Sequence, residues 1–308
     1  MDLDNLGKIF SEGLKPISLS RLSSLSLRLK LFFKYWINEI CKGNIEIDDV
    51  ADSSYFKIIS EIHSGNEDLF ENFLERIKNN IYLVYASGDD LFLIGHWNDV
   101  ILLSYYIREI FSKYVISNPN LTISAGIIIN HSKFPLYQGA TLAGIAEVRA
   151  KLNEGKNSVV VLGENYYWDE FKELNLIKEK IYDYYKFHEL KKSFFHKLLQ
   201  FNEDYKEVYR YALRALKTTD KALVQNKNKI NLYFNVEDNP EKTAHEAAYY
   251  SKWYWRFVYF LKRTIQRNRH LKAQLEDLEE EIIKNKKIKD LHLPVRWAEL
   301  MTKQKSSS

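Results

Sequence analysis

The sequence predicts an α+β fold for residues 1–171, with helices packed on a sheet containing antiparallel strands, followed by an all-α half over residues 172–308. Three observations carry this reading. Two β-rich runs, Ile81–Ala86 and Leu91–Gly95, are separated only by Ser87, Gly88, Asp89 and Asp90, the pattern of a β-hairpin. Helical and strand-like segments alternate around that hairpin up to Leu162. From Lys172 onward the pattern is almost wholly helical, and Ala244–Lys287 contains neither Pro nor Gly.

Taken in order, Met1–Asp4 reads as a short extended segment. A helical stretch follows through Asn38, with Leu22, Leu25, Leu29, Phe32, Phe33 and Trp36 spaced for one buried face. Residues 43–68 read as a polar connection with a short helix from Tyr55 to Ile62, and Asp68–Lys78 as a second helix. After the hairpin come a helix over Trp97–Tyr114, a strand over Leu121–Ile129, an Ala-rich helix over Gln138–Asn153 ended by Gly155, and a closing strand over Ser158–Leu162. In the second half, Tyr249, Tyr250, Trp253, Trp255, Phe257, Tyr259 and Phe260 read as buried core or a docking face. Glu276–Lys287 reads as a solvated helix, and residues 303–308 as a disordered tail.

Composition limits the function classes. No apolar run approaches the roughly 20 residues of a membrane-spanning helix, and Asp2 and Asp4 stand where a secretory leader would be basic. One cysteine, Cys41, excludes an intrachain disulfide and a cysteine-built zinc site. The cytoplasm is the simplest expectation. The net charge of +4 is uneven: residues 1–171 carry 16 Lys and Arg against 22 Asp and Glu, whereas residues 172–308 carry 29 against 19. A net +10 half is either a set of solvated basic helices or a surface for a polyanion.

The acidic hairpin turn is the sharpest chemical feature. Asp and Gly are both preferred turn residues, so Asp89 and Asp90 have an ordinary structural reading. The other reading joins them to a second acidic pair. On an extended segment Asp2 and Asp4 project to the same side, and a first strand beside the hairpin would bring carboxylates from both to one sheet end. Crowded carboxylates call for a cation, and hard oxygen ligands select Mg²⁺ or Mn²⁺. Such a site can orient a 3′-hydroxyl for attack on an α-phosphate. Lys151 and Lys156, near the end of the Ala-rich helix, are either favourable charges at a helix C-terminus or partners for phosphate. Gly155-Lys156-Asn157-Ser158 is no P-loop, because Ala150 replaces the leading glycine. His245-Glu246 is no zincin motif, because Tyr249 replaces the second histidine, and Cys41 has no local support as a nucleophile.

Several runs recur together in a known order: MDLDNLG over Met1–Gly7, YASGDDLF over Tyr85–Phe92, TISAG over Thr122–Gly126, and AEVRAK over Ala146–Lys151 with the following Gly155-Lys156-Asn157. They resemble the ferredoxin-like palm of GGDEF and nucleotidyl cyclase proteins. More closely, they resemble the second palm of the large subunit of type III-A, Csm-type, CRISPR effector complexes. The run YYWDEF over Tyr166–Phe171 and the terminal LPVRWAEL over Leu293–Leu300 fit that subunit and not a diguanylate cyclase. The resemblance implies an antiviral enzyme making cyclic oligoadenylate from ATP in response to target RNA. It implies Asp2 and Asp89 as metal ligands with Asp90 as further ligand or support, Lys151 and Lys156 facing the triphosphate, and Ser87 and Gly88 beside the nucleotide. The implied partners are other type III effector subunits, guide RNA and target RNA; since this chain starts inside the expected first palm strand, the HD and first palm domains are expected either on a separate chain or on a missing part of a longer one. The family turn is Gly-Gly-Asp-Asp, and Ser87 departs from it. A Cβ there would crowd a ligand or oppose a positive φ, and with the incomplete first strand this gives the alternative of a catalytically weak subunit that braces the RNA-guided complex.

Overall fold

The computed structural model describes residues 1–13, 15–43, 69–187, 190–217 and 239–303. The expected helix at Tyr55–Ile62, most of the 43–68 connection, and residues 304–308 lie outside the described residues. The chain divides into two compact units, Met1–Glu173 and Leu174–Ser308.

The first unit holds one six-stranded sheet: β1 (Asp2–Leu3), β2 (Ile81–Ser87), β3 (Asp90–Gly95), β4 (Ile123–Gly126), β5 (Ser158–Val161) and β6 (Glu164–Tyr167). The order is β2-β3-β1-β4-β5-β6. Only β4 and β5 run parallel; the other neighbours are antiparallel. The first four strands, with their intervening helices, form the ferredoxin-like core of a palm. Although β1 is two residues long, it is central and pairs on both sides, Asp2 lying opposite Asp90 and Ser124.

Side-chain alternation gives the sheet two unlike faces. Leu3, Leu91 and Ile123 point to one face and join a core built from α1 (Leu19–Leu31, continuing through a π turn at Phe32–Trp36 into Ile37–Cys41), α2 (Leu69–Asn80) and α3 (Trp97–Tyr114). Phe32, Phe33, Ile77, Ile107 and Phe111 fill that core, and Phe32 meets Phe111 edge-on at 4.9 Å. The apolar face expected from Leu29, Phe32 and Phe33 is buried. The helix does not run unbroken from the N-terminus, because Pro16 lacks the N–H that a helix interior requires. It restarts at Ser18, whose hydroxyl accepts the backbone N–H of Arg21 at 3.3 Å.

The opposite face carries α4 (Leu136–Ala150). Ala146 and Ala150 pack on Val160, and Gly126 lets the helix lie against β4. A Cβ at Gly126 would stand 2.3 Å from the carbonyl of Ala143 and 2.3 Å from the amide of Glu147, closer than any real contact. Strand β6 extends the sheet beyond the expected closing strand, through a two-residue turn in which Leu162 and Gly163 both have positive φ.

The second unit contains most of α5 (Trp168–Phe187), then α6 (Ser193–Lys217), α7 (Pro240–Tyr249), α8 (Lys252–Arg267), α9 (Lys272–Ile283) and α10 (His292–Met301). Asn239 caps α7 by accepting the amides of Glu241 and Lys242. The helical run over 244–287 is broken three times without Pro or Gly, at Tyr250–Ser251, at Asn268 and after Ile283, where Lys286 has a positive φ. At the first break the Ala248 carbonyl accepts both the Ser251 amide at 3.2 Å and the Trp253 indole N–H at 2.8 Å, which ties the helix end to the next helix. Trp253 and Phe257 are buried as core, whereas Tyr250, Trp255 and Tyr259 are exposed. At the end of α10, Lys303 pairs with Glu299 at 3.0 Å.

Candidate active site at the end of the central strand

Alternation along β1 and β3 directs Asp2, Asp4 and Asp90 to the face that carries α4. The hairpin places Asp89 beside them, its carbonyl accepting the Leu3 amide at 3.0 Å. Ser87 pairs with Asp90, so Gly88 and Asp89 are the two central residues of the turn. Of these only Gly88 has positive φ (72°), the arrangement of a II′ turn. Ser87 lies in β2 and is not in the left-handed region, so the residue departing from Gly-Gly-Asp-Asp meets no backbone penalty. This answers the backbone half of the objection that the sequence raised.

From above the sheet, α4 brings two charged groups to the carboxylates. Lys151, at the helix end, bonds Asp2 Oδ2 and pairs with Glu147 at 3.1 Å. These two bonds outweigh burial, which alone would lower the Lys151 pKa, and hold it above its ordinary value. Asp89 titrates above its ordinary range, because burial disfavours its charge and the Asp2 and Asp90 carboxylates repel it. Asp90 accepts the Tyr85 hydroxyl at 2.5 Å, which pushes the phenol up to about 12.

Asp4 does something different from its neighbour two residues earlier. It is fully buried and accepts three hydrogen bonds through Oδ2: Thr122 Oγ1 at 2.8 Å, Ser124 Oγ at 3.0 Å and the Asn157 amide at 3.1 Å. Asp4 therefore pins the loop after α4, where Gly155, Lys156 and Asn157 all have positive φ (76°, 57° and 48°). Its Oδ2 thus serves the scaffold, while its Oδ1, like that of Asp2, is buried with no hydrogen-bond partner. Lys156 is half-buried and makes no ion pair with the described residues.

Asp2, Asp89, Asp90 and Lys151 are thus brought together, while Ser87 and Lys156 stand at the border. The donor set fits a divalent cation. Asp2 Oδ1 is buried with no hydrogen-bond partner, and Asp89 is destabilised by the Asp2 charge that a cation would offset. No group of three or more His, Cys, Asp or Glu among the described residues could hold an ion unaided. Two carboxylates with the remaining positions left to water and phosphate suit Mg²⁺, which keeps much of its hydration.

A cavity of about 560 Å³ opens beside this cluster. Phe92, Ile94, Gly126, Ile128 and Ala143 line it, and Tyr85, Asp90 and Glu147 also border it. An apolar chamber with polar groups at its border suits a planar ligand carrying an ionic tail. Sequence reasoning assigned no role to Glu147, Tyr85 or Gly126. Glu147 was detectable from its i,i+4 spacing to Lys151, while the other two are visible only once the strands and α4 are placed.

Residues 1–160 match the family described as Cas10/Cmr2, second palm domain, and the chain belongs to that family. It is 36% identical over 161 residues to the "CRISPR system single-strand-specific deoxyribonuclease Cas10/Csm1 (subtype III-A)" of Methanocaldococcus jannaschii, covering 52% of this chain and 17% of that protein. Two crystal structures of a Csm1-Csm4 cassette are also similar, one in complex with pppApA and one with cA4. Each has a TM-score of 0.50 and 25% identity over 73% of this chain, covering 32% and 33% of the respective solved chains. The chain therefore spans less than a fifth of that curated relative and about a third of the solved chains. No described helix is long and apolar enough to cross a membrane.

Proposed function

We propose that this chain supplies one palm of a type III-A effector and joins ATP into cyclic oligoadenylate when target RNA is bound. The observation that supports this most strongly is the convergence of Asp2, Asp89 and Lys151 with Asp90 and Glu147, the last two of which line a cavity large enough for a nucleoside. In this reading Asp2 and Asp89 hold Mg²⁺ or Mn²⁺, and Asp90 supports the turn through Tyr85 while remaining near the ligand. Bound metal would activate the 3′-hydroxyl of one ATP and neutralise the pyrophosphate leaving another. Lys151 exchanges Asp2 for triphosphate oxygens when nucleotide and metal arrive, and Lys156 reaches the same phosphates from the pinned loop. Gly88 keeps the turn bare, with no atom within 4 Å of the position a Cβ would take.

A partner is part of the proposal. Tyr137, Ile145, Val148 and Leu152 stand exposed on and just after α4, an apolar surface that a second palm would cover. The basic helical unit is assigned to other effector subunits and the guide–target RNA. The neighbours solved with pppApA and cA4 support an adenylate product. The alternative of a catalytically weak brace draws on Ser87 and on the short first strand; the backbone of Ser87 lies outside the left-handed region.

The test is conversion of labelled ATP by the assembled complex with Mg²⁺ or Mn²⁺ and target RNA. Asp89→Ala combined with Asp90→Ala should lower the rate by more than about 10²-fold, the scale on which charge-stabilising groups act. Unchanged oligoadenylate output from the double variant would refute the assignment.

A further inference from the structure

The second unit presents a surface that the palm site does not explain. Helix α8 (Lys252–Arg267) buries Trp253, Phe257 and Leu261, a stripe at i, i+4 and i+8. Its opposite face should be plainly polar on an ordinary amphipathic helix. It instead exposes Trp255 and Tyr259, at 73% and 67% of their surface, one helical turn apart. Around them, at the same three- and four-residue spacings, stand Lys252, Arg256, Lys262, Arg263 and Arg267, all exposed. The helix contains no acidic residue. Arg256 reaches Asp204 of α6 at 3.7 Å, and the other four cations make no ion pair with the described residues.

Two exposed aromatic rings among five cations, four of them without an ion pair to any described residue, match the chemistry of a single-stranded polynucleotide. Its bases stack on aromatic faces while its phosphates take the charges. A duplex hides its base faces and has no use for the two rings. A protein partner seated on apolar Trp and Tyr would have to bury the surrounding cations or meet them with matching acids. The Tyr259 hydroxyl, unbonded by any described residue, adds a group able to engage a 2′-hydroxyl, the feature that separates RNA from DNA. We infer that the exposed face of α8 binds single-stranded RNA, with Trp255 and Tyr259 as stacking platforms and Lys252, Arg256, Lys262, Arg263 and Arg267 as phosphate contacts. This inference rests on the helical unit alone and stands or falls separately from the palm chemistry.

Fluorescence anisotropy of a labelled 15-nucleotide oligouridylate, titrated with the full 308-residue chain, tests it. Quenching of Trp fluorescence gives a second readout. Trp255→Ala and Tyr259→Ala should each weaken binding on the order of ten-fold, since a stacked base contributes on that scale. Both side chains are exposed, so circular dichroism should show an unchanged fold. Lys262→Gln with Arg263→Gln should flatten the dependence of log affinity on log salt by about 1.4, two phosphates at roughly 0.7 each. Leu19→Ala, at an exposed position of the other unit, should bind as the parent does. An oligouridylate that fails to bind, or aromatic variants that bind within two-fold of the parent, would overturn the inference. So would an RNA duplex binding as tightly as the single strand, or an oligodeoxythymidylate of equal length matching the RNA.

Discussion

Replacing Asp4 by alanine isolates the contact that fixes the loop beneath the candidate site. The carboxylate accepts from Thr122, Ser124 and the Asn157 amide at 2.8, 3.0 and 3.1 Å, in a position with no exposed surface. The two hydroxyls can rotate, and Ser124 Oγ already accepts the Ser158 amide at 3.5 Å. The Asn157 amide cannot turn away, and a stranded buried N–H costs about 1–3 kcal/mol. Asp4 also opposes the tendency of Lys156 and Asn157 to leave the left-handed region, which disfavours side chains by about 1–2 kcal/mol per residue. Against this stands relief from burying a carboxylate, the cause that raises the Asp4 pKa. The net expectation is a loss of about 3 kcal/mol, read by urea denaturation. For a unit of this size that corresponds to roughly 6–12 °C in melting temperature. Amide hydrogen exchange at Asn157 should quicken in the variant. Stability within about 0.5 kcal/mol of the parent, the range of an ordinary surface change, with a still-protected Asn157 amide would refute the anchoring role.

Three further expectations follow from the same geometry. Gly126→Ala puts a Cβ 2.3 Å from α4 backbone atoms, so the helix must lift and carry Lys151 and Glu147 from Asp2; oligoadenylate synthesis should fall about 10²-fold, as small misplacements do. Ser87→Gly should leave stability within about 0.5 kcal/mol of the parent and synthesis within about two-fold, because Ser87 occupies ordinary strand backbone. His245 stacks at 4.1 Å on Tyr209 and meets the Tyr205 hydroxyl at 2.7 Å. Burial lowers its pKa below 6.5, with Lys289 adding to the shift and Glu241 opposing it. The folded state therefore holds fewer protons than the unfolded state on acidification. Its contribution is present above pH 6.5 and lost as pH falls through the folded value, so denaturation between pH 7 and 5 should show a slope that His245→Phe diminishes.

Much of the palm was legible because its signals are local. The hairpin announces itself through two β-rich runs around Gly88 and Asp89, and Trp97–Tyr114 forms the helix that its periodicity describes. Strand β6 escaped notice because its turn, Leu162-Gly163, does not carry the usual Asn-Gly chemistry although both residues take positive φ. The breaks after α7 and α8 fall at Tyr250–Ser251 and Asn268, where no Pro or Gly marks them. At the site, alternation put Asp2 and Asp4 on one side of β1, but it cannot distinguish an acid bonded to Lys151 from one bonded to Thr122, Ser124 and Asn157. That distinction depends on β4 and on the loop before β5, far away in sequence. Glu147 and Gly126 acquire meaning only when α4 lies on β4, and the exposure of Trp255 depends on which face of α8 the core takes.

Mn²⁺ binding to the full chain, followed by loss of the free-ion paramagnetic resonance signal, is the most direct test of the shared carboxylate site. Asp2→Asn and Asp89→Asn should each weaken Mn²⁺ affinity by about ten-fold or more. The double variant should lose less than the product of the two, because both oxygens serve one ion. Mn²⁺ affinity unchanged in both single variants would contradict the site outright.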